Sequence, residues 1–424
     1  MTPRTQSDQH STTTATARIG IGLMLTLALL SGIAPFAIDM YLPAFPEMVA
    51  ELDTTASGVQ LSLTAFLVGA GVGQVIFGPL SDRFGRLGPL VAGMLIYLAA
   101  SVATALAPTV EFLIGARLVQ GLAGAAGMVI SRAIISDLAK GVEAARGLSV
   151  VMTVSGIAPV LAPVAGSLLT EPIGWRGLMW VVTGLVAIGL IAVFLSVRET
   201  RPRTVRDAAR QGPKTSPVRA LTSRAYLGNM LAYVFAFTTM MAYISASPFL
   251  YQGMMGMDQV QYGLAFGLNA LALMLVGALS ARLTRRFHVA ALARTGLLLN
   301  LASVAVFAVL VFTGAPAIWL TVPILVSVGV LGLSFGNATA LALAAVPAAA
   351  GLGSAILGLL QHVFAGIAAP IVSIAGETTA VPLAITMLVT SALANIAFAV
   401  ARGADPRHSA APATEPATER VETA

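Results

Sequence analysis

Charge is scarce in this chain and cysteine is missing from it: 10% of the 424 residues are Asp, Glu, Lys or Arg, and the cysteine count is 0. A soluble surface carries about 25–35% charged residues, so the composition excludes a soluble enzyme or soluble binding module. Without thiols, disulfides and cysteine chemistry are excluded and no redox compartment is marked. Histidine is rare too, 4 in all; His10, His288, His362 and His408 lie too far apart to form a ligand motif, and no metal or other cofactor is expected. A phosphate-cradling G-x-x-x-x-G-K-[ST] loop is also lacking, so no nucleotide is expected to drive the protein, and no nucleophile constellation marks a membrane-embedded enzyme.

What the chain has instead is hydrocarbon. Hydrophobic residues make up 57%, mean hydropathy is +0.88, and apolar runs recur from residue 19 to residue 400. A helix of about 20 such residues crosses a hydrocarbon core of about 30 Å. The runs are continuous, whereas barrel strands alternate polar and apolar residues, and helices satisfy their own backbone hydrogen bonds in lipid. The fold class is therefore an all-α membrane protein. Twelve transmembrane helices are expected, at 19–38, 56–77, 88–107, 111–133, 146–168, 175–196, 225–248, 260–280, 289–312, 317–341, 352–374 and 380–400. The first leads straight into a charged, Pro-rich segment without a small-residue cleavage site, as a retained helix does and a signal peptide does not.

The longest interruption, rich in Arg, Pro and Ser, divides the spans six and six. The expected domains are a disordered cytoplasmic tail (1–18), an N-terminal six-helix bundle (19–197), a basic cytoplasmic linker (198–224), a C-terminal six-helix bundle (225–400) and a second disordered tail (401–424). The tails are small, polar and poor in aromatics, too little apolar surface to offset the entropy of ordering. With both termini cytoplasmic, the inner side receives Arg83, Arg86, Lys140, Arg146, the linker arginines, Arg282, Arg285, Arg286 and Arg402, and the outer side only Arg117 and Arg176. That is the positive-inside asymmetry. It explains the net charge of +6 through attraction to anionic lipid head groups rather than nucleic acid. His288 and Arg294, near the inner end of the ninth span, read as interfacial.

Two local patterns echo each other. GPLSDRFGR (78–86) follows the second span and GALSARLTRR (277–286) the eighth, with Gly, Leu, Ser and Arg at matching offsets, as duplication of a transporter half would leave. In the first, Gly78 and Pro79 end a helix, Asp82 and Arg83 put opposite charges in a tight loop, and Gly85 permits a turn before Arg86. The loop is either simply solvated, or a latch in which Asp82 caps a helix or pairs with a basic group across the domain interface.

GPLSDRFGR resembles the loop between helices two and three of the major facilitator superfamily, Gly-x-Leu-x-Asp-Arg-x-Gly-Arg. RLVQGLAGAA (117–126) resembles the fourth-helix Arg-x-x-x-Gly motif of its drug transporters. APVLAPVAGS (158–167) is similar to the Gly/Pro-rich fifth-helix motif of proton-coupled antiporters, with Ala162 and Ser167 where the family usually has Gly. DMYLPAFPEM (39–48) resembles the first-helix motif of the Bcr/CflA group of multidrug and chloramphenicol efflux proteins, drug:proton antiporters with twelve helices. The close matches cover helices one to five.

The resemblance implies roles that the residues alone leave open. Asp39 is either interfacial and solvated, anchored by Met40 and Tyr41, or turned toward a central cavity, where scarce water favours a neutral carboxyl over a charged one and protonation competes with cargo. Arg117 either snorkels outward after Glu111 or, as the resemblance favours, serves proton coupling from the same water-filled space as Asp39. Gly156, Pro159, Pro163 and Gly166 form either a static kink or a hinge. Tyr41, Gln120, Tyr233, Phe237, Tyr243, Asn269, Asn337, Gln361 and His362 are cavity candidates; the polar ones also suit helix-to-helix ties, and the aromatics also suit a lipid-facing surface. The expected function is proton-coupled export of an amphipathic or cationic drug across the bacterial cytoplasmic membrane, by a monomer whose partners are cargo, protons and lipid. An importer or facilitator of a sugar, organic anion or amino acid, and a channel, are the alternatives.

Overall fold

A computed structural model describes residues 20–139, 141–201, 221–376 and 378–402. The tail 1–18, most of the linker 198–224 and nearly all of the tail 401–424 lie outside these residues. Everything long is helical: α1 (Ile21–Asp39), α2 (Phe45–Glu51), α3 (Ala56–Phe84), α4 (Leu87–Ala105), α5 (Val110–Leu138), α6 (Gly141–Ser196), α7 (Arg224–Pro248), α8 (Gln259–Leu283), α9 (Val289–Phe312), α10 (Thr321–Val330), α11 (Phe335–Ala344), α12 (Ala350–Ile371) and α13 (Val381–Arg402). Side-chain caps fix several starts: Thr55 accepts from the Gly58 amide at 3.1 Å and Thr109 from that of Phe112 at 3.3 Å, while Asp258 and Gln261 form a reciprocal capping box.

Eleven helical segments among the described residues are long and apolar enough to cross a membrane, against the twelve expected. The difference lies in α6, which joins the expected spans 146–168 and 175–196. Its apolar stretch Arg146–Ser196 has 51 residues, about 77 Å at 1.5 Å per residue, far more than one crossing needs. Pro172 weakens the helix there, and Gly174 breaks it with φ 64° and ψ 178°, a conformation open to glycine. Contacts with α1 give the direction of each part of α6. Before the break, a Cβ on Gly32 would touch Val154 at 3.1 Å and Gly166 abuts the Met40 carbonyl, so the two helices run the same way. After it, Trp175 meets Glu47 at 3.4 Å, a Cβ on Gly189 would meet Ile33 at 3.0 Å, and Ser196 meets Thr26 at 2.8 Å, so the direction is opposite. Glu51 holds the corner through the Trp175 indole (2.5 Å) and an ion pair with Arg176.

The expected span 317–341 is also interrupted. Between α10 and α11 the chain tightens to 3-10 geometry at Leu331–Leu333, where Gly332 crosses Gly277 of α8 so closely that a Cβ would come 2.5 Å from its amide nitrogen. Helices α1 to α6 pack chiefly on one another, as do α7 to α13; α3 against α12 and α6 against α8 join the two groups.

Candidate functional site

Helix α1 ends at Asp39 because the next residues cannot continue it smoothly: Pro43 starts a 3-10 turn (Leu42–Ala44) and Pro46 opens α2. This folds the chain inward. Asp39 is 4% exposed, and Met40 and Tyr41 are 2% exposed, which removes the solvated, interfacial alternative. The carboxyl borders a cavity of about 80 Å³ shared with Pro159 of α6, Met240 and Tyr243 of α7, and Phe266 and Asn269 of α8. Its Oδ1 has no hydrogen-bonding partner among the described residues. Opposite, Asn269 donates to the Tyr243 hydroxyl at 2.6 Å and the Tyr251 hydroxyl at 3.1 Å, and Tyr243 stacks on Phe266 at 6.0 Å. An acid from one group of helices thus faces an aromatic, amide-bearing wall from the other. A larger opening of about 720 Å³, bordered by Glu47, Glu171 and Asp258, lies beside Gly174 and forms an acidic mouth between the groups.

Arg117 is placed differently from the expectation. It is 0% exposed, so it does not snorkel, and it is not among the residues bordering the Asp39 cavity. Its guanidinium is clamped between the rings of Tyr41 (4.5 Å) and Phe66 (4.4 Å), and Nη1 donates to Gln120 Oε1 at 2.7 Å. Gln120 in turn donates to Ser101 at 2.9 Å. Nε and Nη2 have no partner among the described residues. Tyr41 separates into this cluster, with its hydroxyl 3.2 Å from Ser62. The reason is geometric: Tyr41 lies beyond the end of α1, where the chain turns toward α3 and α5.

The aromatic set on α7 also divides. Tyr233 and Phe237 stack at 6.1 Å and meet Phe335, and Phe237 lies 6.0 Å from His362; Tyr243 belongs to the Asp39 cavity. None of the three is a lipid-facing aromatic, since each packs against rings of other helices. His362 Nδ1 lies 2.7 Å from the Gly358 carbonyl, with the amides of Gln361 and Gln74 at 3.2 and 3.4 Å. Asn337 donates to Ser280 at 2.9 Å and to the Leu333 carbonyl at 2.7 Å, a tie between α11 and α8.

At the turn after α3, the partners are not across the interface between the two groups: the turn is tied to α5 and to the start of the linker that follows α6. Gly85 takes φ 97°. Arg86 binds Asp137 of α5 at 2.8 Å, Asp82 at 2.8 Å and Ser81 at 2.8 Å, while Glu199 receives its backbone amide at 2.9 Å and Arg201 pairs with Asp82. Burial opposes the Arg86 charge, but the Asp137 and Asp82 carboxylates hold the guanidinium above its ordinary range. Arg83 lies over Phe84 at 5.3 Å, and Gly78 has open space around its Cα. Asp82 pairs locally because the donors nearest the two-residue turn Gly85–Arg86 are the guanidiniums of Arg86 and Arg201.

Within α6, Gly156 faces open space, Pro159 borders the cavity, and Gly166 touches the Met40 backbone. Gly263 and Gly267 of α8 accommodate the other side of the Pro163 region, near Ser167 and Val164. This stretch is the point of close crossing between the two groups.

Sequence reasoning missed the seam between α3 and α12. Gln60 donates to the Ser245 carbonyl and to Ser373, both at 2.9 Å; Thr64 donates to the Gly366 carbonyl at 2.7 Å; Ser57 donates to the Pro370 carbonyl at 3.3 Å. Polar residues at 57, 60, 64 and 74 inside an apolar span were the available signal. Arg132 was missed as well: it stands near Tyr233, and its Nε is buried without a partner among the described residues.

Residues 27–370 match the family model described as Major Facilitator Superfamily. The chain is 33% identical over 386 residues to the uncharacterized MFS-type transporter YdgK of Bacillus subtilis, covering 90% of this chain and 96% of that one. It is 29% identical over 381 residues to a bicyclomycin resistance protein homolog of Haemophilus influenzae, covering 86% and 92%. A solved bacterial homolog of the human lysosomal transporter Spinster, inward-facing and occupied, shares the fold with a TM-score of 0.71 at 17% identity, over 92% of this chain and 98% of that one. With its apolar helices and this match over most of its length, the chain belongs to the Major Facilitator Superfamily: it is a multi-spanning membrane transporter of small molecules and not an enzyme.

Proposed function

We propose that this protein is a proton-coupled exporter of amphipathic or cationic drugs, of the Bcr/CflA type, working by alternating access in the bacterial cytoplasmic membrane. The observation that carries the reading is Asp39, an acid with an unpartnered buried oxygen at a cavity walled by Tyr243, Phe266 and Asn269 from the other helical group. Protonation neutralises it, and cargo with a positive or hydrogen-bonding group competes for the same oxygen. The resistance-protein relative supports the drug class.

The architecture that goes with this reading has twelve crossings, the chain reversing at Gly174, in two six-helix bundles joined by the 198–224 linker, with both termini cytoplasmic and the monomer as the working unit. Opposite contacts of α1 with the two parts of α6 support the twelfth crossing. Arg117 then acts on coupling from outside the cavity, by holding Tyr41 and the turn after Asp39. The Arg86 network stiffens the first bundle's cytoplasmic turn, and Gly166 lets α6 roll on α1.

The test is transport in proteoliposomes with an imposed pH gradient, comparing cationic drugs with neutral chloramphenicol-like compounds, for the natural chain and Asp39→Asn. The expected result is gradient-driven export that Asp39→Asn abolishes while exchange down a drug gradient persists. Intact gradient-driven export in Asp39→Asn overturns the coupling role; gradient-driven uptake selects the importer.

A further inference from the structure

The end of the bundle where Gly174 reverses the chain is acidic. Gln252 meets Pro43 there, Trp175 meets Glu47 and Arg176 meets the Ala107 carbonyl, so the connections α1–α3, α4–α5 and α7–α8 share this end with the Gly174 corner. Among the described residues they carry Glu47, Glu51, Asp53, Glu111, Glu171 and Asp258 against one base, Arg176, and the connection before α13 adds Glu377 in the sequence. Arg117, two turns into α5, is buried away from them. Arg176 pairs with Glu51, donates to Ala107 at 3.0 Å and lies over the Trp175 ring at 4.2 Å. The chain as a whole is +6, and the rule that draws bases to the opposite end gives carboxylates little weight, so insertion alone does not account for the excess.

Three of these acids, from three elements, ring the opening of about 720 Å³: Glu47 of α2, Glu171 of α6 and Asp258 at the start of α8. The Glu171 carboxylate makes no hydrogen bond or ion pair with a described residue. Glu47 and Asp258 each accept one backbone amide, from Trp175 at 3.4 Å and from Gln261 at 2.8 Å. Gln252 donates its amide to the Pro43 carbonyl at 3.0 Å and keeps its oxygen as an acceptor. A second observation does not depend on charge. One turn below Glu171, Ser167 lines the same opening at 3% exposure, and its Oγ has no partner among the described residues. That oxygen is directed at the floor, where a Cβ on Gly263 of α8 would collide with it. A buried hydroxyl left bare is costly, and a donor on a ligand in the opening satisfies it.

The acceptors set what fits. Among the described residues no three acidic or histidine side chains are grouped to hold a metal ion, so the carboxylates stand apart around the opening. A single small cation leaves two of them uncompensated, whereas an organic cation with several ammonium groups meets each with an N–H donor. The volume falls within the range of about 300–1,000 Å³ that small-molecule sites occupy. We infer that this mouth is a binding site for an organic polycation of the polyamine type. Gln259 on its border is about 15 Å along α8 from Asn269 of the Asp39 cavity, so the two sites are separate. Binding here does not depend on export; on the function proposed above, the mouth is the first surface that a released cation meets.

Calorimetric titration of the purified full-length protein with spermidine, putrescine, tetramethylammonium and Mg²⁺ tests this. A charge about 6 Å away in water contributes about threefold to binding. Glu171→Gln is expected to weaken spermidine binding about threefold, and the double variant with Asp258→Asn, which keeps the helix cap, about tenfold. Spermidine should bind more tightly than putrescine, and tetramethylammonium, which has no N–H, least of the three. Asp53→Asn/Glu111→Gln, at the same end outside the mouth, and Asp39→Asn should each leave the affinity within twofold, whether or not Asp39→Asn uncouples export. Glu171→Lys, at an exposed position, gives the same reading if the double variant does not purify, with a loss of about tenfold. Retention within twofold in the double variant and in Glu171→Lys overturns the site. An equal loss in the Asp53/Glu111 pair makes the attraction diffuse surface charge, and an equal loss in Asp39→Asn moves the ligand to the Asp39 cavity; either overturns it. Mg²⁺ displacing spermidine at equal concentration makes it a metal-ion site and overturns the polyamine assignment.

Discussion

Removing the acceptor beside a buried charge should harm this protein more than removing the charge. Arg117 is held by two aromatic faces, at 4.5 and 4.4 Å, and by a 2.7 Å bond to Gln120. Desolvated cation–π contacts contribute about 2 kcal/mol each, and a charge-assisted hydrogen bond adds about 1.5–3 kcal/mol. The gross gain is about 6 kcal/mol. Burying the guanidinium costs several kcal/mol, here with Nε and Nη2 lacking described partners. The two sides nearly cancel, so Arg117→Met, which keeps volume between the rings, should change stability by no more than about 2 kcal/mol. Gln120→Leu leaves the cation in place without its acceptor and should cost about 3 kcal/mol, a fall in Tm of about 3 °C at about 1 °C per kcal/mol for a chain of this length. In the double variant the orphaned charge is gone, and Tm should return close to that of Arg117→Met. Thermal unfolding of the detergent-purified proteins, followed by intrinsic fluorescence, measures all three. A larger fall for Arg117→Met than for Gln120→Leu refutes the balance and makes the guanidinium a net stabiliser.

For Asp39, one proton per cargo molecule limits a gradient of one pH unit to about tenfold accumulation, and Asp39→Asn should bring the measured ratio to unity while the natural chain stays above it. Gly166→Ala drives a Cβ into the Met40 carbonyl and should cost about 3 kcal/mol, at the upper end of overpacking; Gly156→Ala faces open space and should stabilise by up to about 1 kcal/mol, so equal Tm values for the two would sink the close-crossing account. A Cβ on Gly366 would lie 3.4 Å from Thr64 Cγ2, an atom placed where a cysteine sulfur could sit, so paired cysteines here are near enough to bridge, and the chain supplies no competing thiol. Thr64→Cys with Gly366→Cys should therefore crosslink under mild oxidation, stop transport, and recover with reductant; full transport by the crosslinked protein would mean that α3 and α12 need not separate.

The parts of the molecule written in local pattern could be read from the sequence, and those set by three-dimensional neighbours could not. Long apolar runs gave the helices because backbone hydrogen bonding in lipid leaves few choices, and the boundaries shifted mainly where polar ends such as Ser81–Phe84 stay helical past the apolar stretch. The joining of two spans at Gly174 was hidden because Glu171, Pro172 and Gly174 read as a loop, whereas only Gly174 leaves the helical backbone torsions. Asp39 was legible: one carboxylate after a long uncharged run either meets water or needs a reason. Its separation from Arg117 was not, because motifs specify helices and not the rotation of side chains about them. The division of Tyr233 and Phe237 from Tyr243 has the same origin, ten residues of helix carrying the last ring into another layer. Gln60 and Thr64 looked ordinary because their partners are mostly backbone carbonyls, which leave no mark in the sequence.

That asymmetry reaches into how the seam between α3 and α12 can change. Hydroxyls and amides on α3 do the donating, while the peptide oxygens of Gly366 and Pro370 receive. Side-chain changes on α12 away from Gly358 and Gly366, where an added Cβ would press on α3, would leave those receivers intact, whereas single replacements at Ser57, Gln60 or Thr64 each delete a link. Drift in cargo preference can thus proceed on one wall of the passage without loosening its closure, and selection for altered opening should concentrate on the other.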